Sequence, residues 1–179
     1  MLSLYTSKEK SYHHGDLRAV LLKVGLEELE LKGQESLSIR EAARKAGVSA
    51  NAPYRHFADK EAFLKALAIE GFNELARVSE AQSSLKDLGL AYIRFAEVHP
   101  RLFGLMFGPL LSGCQDPQLY ESSMNSCRPL LKALGTEDSL HPKVIKAWGL
   151  VHGLATLRIN GLLRAEGVEQ RIEEALNSL

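Results

Sequence analysis

The chain has 179 residues, of which 45% are hydrophobic and 25% charged, and its 22 basic residues are balanced by 22 acidic ones. This length suits a small domain followed by a larger one. A neutral chain is not a general binder of polyanions, so any contact with nucleic acid must come from a local patch of charge. Apolar residues recur at helical spacing between Pro and Gly breaks, without a sustained period of two, which predicts an all-α fold.

The first predicted helix runs from Asp16 to Leu31. Asp16 suits an N-cap, and Lys32-Gly33 suits the end of the helix. Its apolar positions at helical spacing are Leu17, Val20, Leu21 and Val24. The preceding Tyr12-His13-His14-Gly15 is either an arm that reaches a minor groove or a frayed lead-in. Two adjacent histidines without further ligands nearby do not predict a metal site.

Two short helices are predicted around the turn Gly47-Val48-Ser49. Ser38 is placed to accept the N–H three residues on, with Glu41 reaching back, so that a capping box starts a helix at Ile39. This helix should end at Ala46, because Gly47 adopts left-handed dihedrals readily. Ser49 is placed to cap a second helix of about two turns that ends at Phe57, whose side chain should face inward.

The second short helix carries side chains that can donate to phosphates or base edges, namely Asn51, Tyr54, Arg55 and His56. Lys60 begins a further helix, where the positive helix N-terminus and the ammonium can hold a phosphate together. From Ser36 to Lys60 five cations stand against two anions. Ordinary helical hairpins share this pattern of helices, but the local positive charge favours a helix-turn-helix that reads DNA.

The run VSANAPYRHFADKEAF resembles the helix-turn-helix of the tetracycline-repressor (TetR) family, whose usual pattern is V-S-x-x-x-x-Y-x-x-F-x-x-K-E-x-L. The resemblance implies a dimeric DNA-binding protein with its reading domain at residues 12–70. Tyr54 and Lys60 match phosphate contacts of the family, Ser38 and Arg40 match backbone contacts, and Ser49 opens the recognition helix. Ala52-Pro53 departs from the pattern, and we expect a short or distorted first turn there. The residues predicted to bind DNA are Ser38, Arg40, Ser49, Ala50, Asn51, Ala52, Pro53, Tyr54, Arg55, His56 and Lys60.

Residues 77–179 are predicted to form a helical regulatory and dimerisation domain with its own core. The predicted helices are Leu85–Val98, Arg101–Phe107, Gln118–Leu134, Lys143–Arg164 and Val168–Leu176. Aromatic residues and methionines suit an apolar ligand, although each of them also suits ordinary core packing. The candidate ligand-binding residues are Phe95, Phe103, Met106, Phe107, Met124, Trp148 and His152. Cys114 and Cys127 have no partners at metal-site spacing, so reduced thiols are expected.

Gly149 and Gly153 share one face of the late helix and would let another helix approach closely, as in a tight helix pair. Trp148, His152 and Gly153 are similar to the signature of a C-terminal regulatory domain found in one branch of the TetR family, the Trp-His-Gly branch. In that branch the last two helices pair with those of a second subunit. The resemblance therefore implies a dimer interface that contains Trp148, Gly149, His152, Gly153 and Thr156.

These observations predict a transcriptional repressor that binds a palindromic operator in double-stranded DNA as a homodimer. A small apolar effector is expected to release it, and no cofactor or metal is expected. The chain lacks a glycine-rich phosphate loop, a His-Glu-x-x-His motif and a Gly-x-Ser-x-Gly elbow, which argues against an enzyme. A helical adaptor that binds another protein is the alternative. With neither an apolar signal segment nor a membrane-length apolar stretch, a cytoplasmic protein is expected.

Overall fold

The computed structural model describes residues 17–111, 113 and 115–179, and the fold is all-helical, as predicted. Its elements are α1 (Leu17–Ser36), α2 (Ile39–Lys45), a 3₁₀ helix (Ala52–Arg55), α3 (Lys60–Glu80), α4 (Leu85–Val98), α5 (Pro100–Met106), α6 (Pro117–Leu134), α7 (Pro142–Ile159) and α8 (Val168–Leu176). The Tyr12–Gly15 segment, the predicted cap Asp16 and Cys114 lie outside the described residues. None of the helices in the described ranges has an apolar stretch long enough to cross a bilayer.

The long helix α3 links the N-terminal helices to the rest of the molecule. Asp59 caps it by accepting a hydrogen bond from the Ala62 N–H at 2.8 Å. Phe63 and Leu67 on its first half are fully buried beneath α1. Gly25 of α1 permits this close approach, because a Cβ atom there would lie 2.5 Å from Cζ of Phe63. The N-terminal helices are therefore fixed on the same helix that builds the larger core.

The C-terminal helices pack on the second half of α3 and on each other. Gly71 of α3 lies against Leu102 and Met106 of α5, and α6 runs along α3. Helix α4 also packs on α7. The side chain of Leu176 on α8 lies against Gly89 of α4. The apolar core is continuous from α1 through α8. Helix α4 has its predicted boundaries, Leu85–Val98, because Ser84 caps its start by accepting from the Asp87 N–H at 3.1 Å and Pro100 follows its C-cap His99.

Two long helices, α1 and α7, end several residues away from their predicted ends. The late helix, predicted to reach Arg164, ends at Ile159, because Asn160 leaves the helix and Gly161 takes a left-handed φ of 72°. The first helix breaks at Gly33 as predicted, with φ 78° and ψ 166°, but helical geometry resumes beyond it through Ser36. Both departures occur at glycines whose backbone conformation other residues rarely adopt.

Candidate nucleic-acid interface

Helix α2 begins at the predicted cap. Ser38 is extended, and its Oγ accepts a long hydrogen bond of 3.5 Å from the Glu41 N–H. The reciprocal half of the predicted capping box is not formed, because the Glu41 carboxylate binds the Arg44 guanidinium at 2.8 Å instead. Ala42 and Ala43 are completely buried. The face of α2 that carries these small side chains therefore packs closely on the core, as the alanines in the sequence predicted.

The turn after α2 is as predicted, but the recognition segment is shorter. Gly47 has φ 72°, and the Val48 N–H donates to the Ala43 carbonyl at 3.0 Å. The predicted helix from Ser49 to Phe57 is a four-residue 3₁₀ helix, and its N-cap is Asn51 without a side-chain hydrogen bond. Pro53 in its first turn has no N–H to donate, which explains the shortened, distorted geometry.

Most of the predicted DNA-contacting side chains lie on the surface. The exposed ones are Ser38, Arg40, Ser49, Ala50, Asn51, Tyr54, Arg55, His56 and Lys60. Ala52 is half-buried and Pro53 is fully buried, so the side chain of Pro53 lies in the core and its contact with DNA stays a prediction. Phe57 faces inward as predicted and packs edge-on against Phe63 at a ring distance of 4.9 Å. This contact anchors the exposed segment to α3.

The local positive charge is distributed unevenly among the cations. Arg44 is paired with Glu41, and Lys45 forms an ion pair with Glu28. Lys60 donates from Nζ to the neutral carbonyl of Glu35 at 2.9 Å, which positions its charge without cancelling it. Within the described ranges, Arg40 and Arg55 form no ion pair. The charge available to a polyanion is therefore concentrated at Arg40, Arg55 and Lys60.

The sequence interpretation missed the buried carboxylate of Glu28, whose side chain is 3% exposed. Lys32 contacts its Oε2 at 2.7 Å, and Lys45 of α2 contacts its Oε1. The hydrogen bonds from Lys32 and Lys45 lower the pKa of Glu28 below its ordinary value. The spacing of Glu28 and Lys32 at i,i+4 was visible in the sequence. The ion pair with Lys45 ties α2 to α1 and was not visible.

The sequence interpretation also missed a cation, Arg18 in the first turn of α1. Its Cζ lies 5.6 Å from the ring centroid of Phe57, within the range of a cation–π contact. The side chain is exposed. Because Phe57 lies two residues beyond Arg55, the last residue of the 3₁₀ helix, Arg18 adds a positive charge beside that helix.

The larger domain contains a cavity of about 390 Å³ between α3, α4, α6 and α7. Among the predicted ligand residues, Phe107, Met124 and Trp148 line it. The other predictions do not: Phe95, Phe103 and Met106 are buried in the surrounding core, and His152 lies behind Tyr92. Further apolar lining residues are Phe72, Leu75, Leu88, Leu130, Val144 and Val151. The cavity volume is in the range of small-molecule sites.

A hydrogen-bonded chain forms one wall of the cavity. The Trp148 Nε1–H donates to Tyr92 Oη at 3.4 Å, and Tyr92 Oη lies 2.9 Å from His152 Nδ1. The indole can only donate, whereas the tautomer of the His152 ring decides which of Tyr92 and His152 donates in their hydrogen bond. Burial raises the pKa of Tyr92 and lowers that of His152, so both are neutral near pH 7. The His152 ring stacks on Phe103 at 5.2 Å, which locks the chain in place.

The outer face of α7 is apolar and open. Ile145 is 54% exposed and Trp148 46% exposed. A Cβ atom at Gly149 or Gly153 would have no neighbour within 4 Å, so the close helix pair predicted at these glycines is not formed within the chain's described residues. His152 and Thr156 are half-buried on the same helix.

Comparison with known families decides the class of the protein. Residues 85–179, more than half of the chain, match the family described as tetracyclin repressor-like, C-terminal domain. Residues 21–67 match the bacterial regulatory proteins of the tetR family. The chain belongs to the TetR family. It is therefore a DNA-binding transcriptional regulator of a non-enzymatic family, with an N-terminal helix-turn-helix and a C-terminal helical domain.

Solved structures share the TetR-family architecture over nearly the whole chain. A protein of unknown function from Rhodococcus sp. RHA1 is 34% identical, with a TM-score of 0.76 and coverage of 95% of this chain and 96% of that one. A TetR variant from Acinetobacter baumannii AYE in complex with minocycline is 20% identical, with a TM-score of 0.60 and coverage of 90% and 92%. The multidrug binding protein EbrR complexed with imidazole is 17% identical, with a TM-score of 0.65 and coverage of 99% and 96%. The last two likenesses show the fold alone. No curated protein sequence matches the chain.

Proposed function

We propose that this regulator is a repressor that binds a palindromic operator as a homodimer and is released by a small molecule. The observation that carries the proposal is the surface formed by Arg40, Arg55 and Lys60 around the exposed 3₁₀ helix. Arg40 and Arg55 have no acidic partner among the described residues, and Lys60 donates to the neutral backbone carbonyl of Glu35. Such charges are available to phosphates, and releasing counterions there drives binding to duplex DNA.

The roles of the DNA-reading residues follow from their chemistry and exposure. Ser38, Arg40, Tyr54 and Lys60 are proposed to contact phosphates, which position the protein without reading sequence. Ser49, Ala50 and the half-buried Ala52 allow the backbone to approach the groove. Asn51, Arg55 and His56 are proposed to contact base edges. In this proposal residues 12–70 form the reading domain, and residues 77–179 form the regulatory domain.

The dimer is proposed to form through the open face of α7 together with α8. Gly149 and Gly153 carry no side chain on this face, and the exposed part of Trp148 makes the face apolar. Such a surface suits a second copy of the same helix. His152 and Thr156 would contribute its polar contacts. The resemblance of Trp148, His152 and Gly153 to the Trp-His-Gly branch supports this assignment. Two reading domains would then engage half-sites roughly 34 Å apart, or a multiple of that distance.

The effector is proposed to occupy the cavity beneath α7. Trp148 lines the cavity and is also exposed on the proposed dimer face, so a bound molecule would act directly on the helix that sets the spacing of the two reading domains. A coupling of about 3 kcal/mol between effector and DNA would change operator affinity by about a hundredfold. The relatives complexed with minocycline and imidazole are consistent with small-molecule binding in this fold.

The test is selection of bound fragments from genomic DNA, followed by titration of a selected fragment at several salt concentrations. We expect Arg55→Ala to weaken binding by about 5- to 150-fold and to alter preference among bases. Arg44→Ala is the matched control, because Arg44 is already paired with Glu41. Lys60→Ala should weaken all sequences alike and reduce the salt slope by about one.

Three results would contradict the proposal. Equal affinity for selected and competitor DNA would exclude operator recognition and favour the adaptor alternative. A salt-independent affinity would exclude phosphate contacts. Equal losses for Arg55→Ala and Arg44→Ala would show that the ion pairing described above does not determine which cations bind DNA.

A further inference from the structure

The described residues that line the cavity between α3, α4, α6 and α7 carry no charged side chain. Among the residues that the structure describes, no Asp, Glu, Lys, Arg or His lines it. Tyr92 and Cys127 carry its ionisable side chains, and burial raises the pKa of both, which keeps them neutral. A charged ligand would lose its hydration there without gaining a counter-charge, and that loss is costly. The cavity therefore disfavours anions and cations alike.

The polar groups in the walls are mainly acceptors. The Ser123 and Ser126 hydroxyls donate to the carbonyls of Tyr120 and Ser123, each at 2.7 Å. The N–H of Trp148 is directed to Tyr92 Oη, which also shares a hydrogen bond with His152 Nδ1. The donors of Ser123, Ser126 and Trp148 are thus already used, whereas the hydroxyl oxygens keep free lone pairs. Ser79 and Ser139 can serve in either role.

We infer that the cavity selects an uncharged, largely apolar molecule that carries a hydroxyl donor, of the alkylphenol class. The apolar part would lie among Phe72, Leu88 and Val144, and the hydroxyl would donate to Tyr92 Oη or a serine oxygen. This inference rests on the proposed function, in which the cavity is the effector site.

An amphipathic anion is the competing ligand. A polar groove adjoins the cavity and shares Ser79 and Leu88 with it. The groove contains Arg128 and Lys132, but also Glu80, which offsets part of their charge. Arg128 and Lys132 are exposed, so their attraction for a carboxylate is screened by solvent. The neutral ligand is therefore favoured over the anion, and an anionic probe decides between them.

The experiment compares four probes that differ in one group: 4-hexylphenol, its methyl ether 4-hexylanisole, the anion 4-hexylbenzoate and the cation 4-hexylbenzylammonium. Trp148 is the chain's one tryptophan and lines the cavity, so its fluorescence reports binding directly. We expect the phenol to bind about three- to tenfold more tightly than the ether, which lacks the donor. It should bind at least about tenfold more tightly than either charged probe.

Three variants test the location of the binding site. Ala147 lines the cavity and is buried, so Ala147→Phe should fill it and reduce binding of all probes by at least about tenfold. Ala165→Phe, at an exposed loop position, should change nothing. Tyr92→Phe should lower the preference for the phenol over the ether. DNA titration of each variant shows that it is folded.

The inference is overturned if the benzoate or the ammonium probe binds as tightly as the phenol, if no probe changes Trp148 fluorescence, or if Ala147→Phe leaves the affinities unchanged. Wild-type protein that binds DNA but shows one of these results contradicts the inference alone. Wild-type protein that ignores DNA contradicts the proposed function, whatever the probes do.

Discussion

Glu28 illustrates how one buried side chain can position α2, the first helix of the helix-turn-helix, from outside that motif. Its buried carboxylate joins Lys32 of α1 to Lys45 of α2. Removing one partner of a buried ion pair leaves the other charges uncompensated. Lys45, which belongs to the basic segment of the sequence, therefore acts as a link between helices, whereas Arg40 and Arg55 keep their charges available.

We predict that Glu28→Gln lowers the melting temperature near neutral pH. The pKa of Glu28 is lowered in the folded protein, so its stabilising effect is present above the ordinary value of 4.5 and is lost as the pH falls through the lower folded-state value. The difference in melting temperature between wild type and variant should therefore shrink on acidification. Thermal unfolding followed by circular dichroism across this pH range measures the difference.

Glu74→Gln serves as the control for this prediction. Glu74 pairs with Arg77 at 2.6 Å, but both side chains are solvent-exposed. Exposed pairs contribute little to stability, so the control should melt close to wild type near neutral pH. A Glu28→Gln protein that melts like wild type at every pH would contradict the assigned role of Glu28.

At the scale of elements, the contact between α1 and α3 determines the position of α2 and the 3₁₀ helix, which pack on α1 and, through Phe57, on α3. It depends on Gly25, where an added Cβ would lie 2.5 Å from Phe63 Cζ and 2.9 Å from Leu67 Cδ2. Both neighbours are completely buried and cannot move into solvent. The close approach of these two helices is therefore specific to glycine.

We predict that Gly25→Ala destabilises the protein by about 1–3 kcal/mol, because overpacking outweighs the better helix propensity of alanine. The melting temperature should fall by roughly 2–4 °C per kcal/mol. Gly104→Ala on α5 is the matched control: its Cβ meets no atom within 4 Å, so the variant should be neutral or slightly stabilised. Equal melting temperatures for the two variants would show that α1 can shift away from α3.

At the scale of the whole molecule, the open face of α7 is a surface that the described chain does not cover. Its exposed apolar side chains include Ile145, Trp148 and Leu157. The adjoining cavity shares Trp148 with this face. A second subunit seated on α7 would bury these side chains and link cavity occupancy to the spacing of the reading domains.

We predict that Gly153→Glu converts a dimer into a monomer without unfolding the subunit, because nothing in the described chain lies within 4 Å of the new Cβ. Sedimentation velocity measures the assembly state, and operator affinity should fall by about a hundredfold when the two half-sites are no longer linked. Gly104→Glu, at the exposed glycine of α5, should remain dimeric. A Gly153→Glu protein that sediments as a dimer would place the interface elsewhere.

Local features of the sequence were sufficient to predict most helix boundaries. Helix starts at Ile39 and Lys60 follow from the caps Ser38 and Asp59, which act within three residues. The distortion at Pro53 was predicted because a missing N–H is a local property. The 3₁₀ geometry and the burial of Pro53 were not predicted, since they depend on packing against residues far along the chain.

The all-α fold, the turn at Gly47 and the exposed side chains of the reading segment were determined by the sequence itself, because periodicity, capping and backbone preference act over a few residues. The link from Glu28 to Lys45 and the contact from Tyr92 to His152 were decided only by the tertiary structure. The tertiary structure also decided which residues line the cavity, because they come from four helices. These features join residues that are distant in sequence, and packing of the helices alone determines which of them meet.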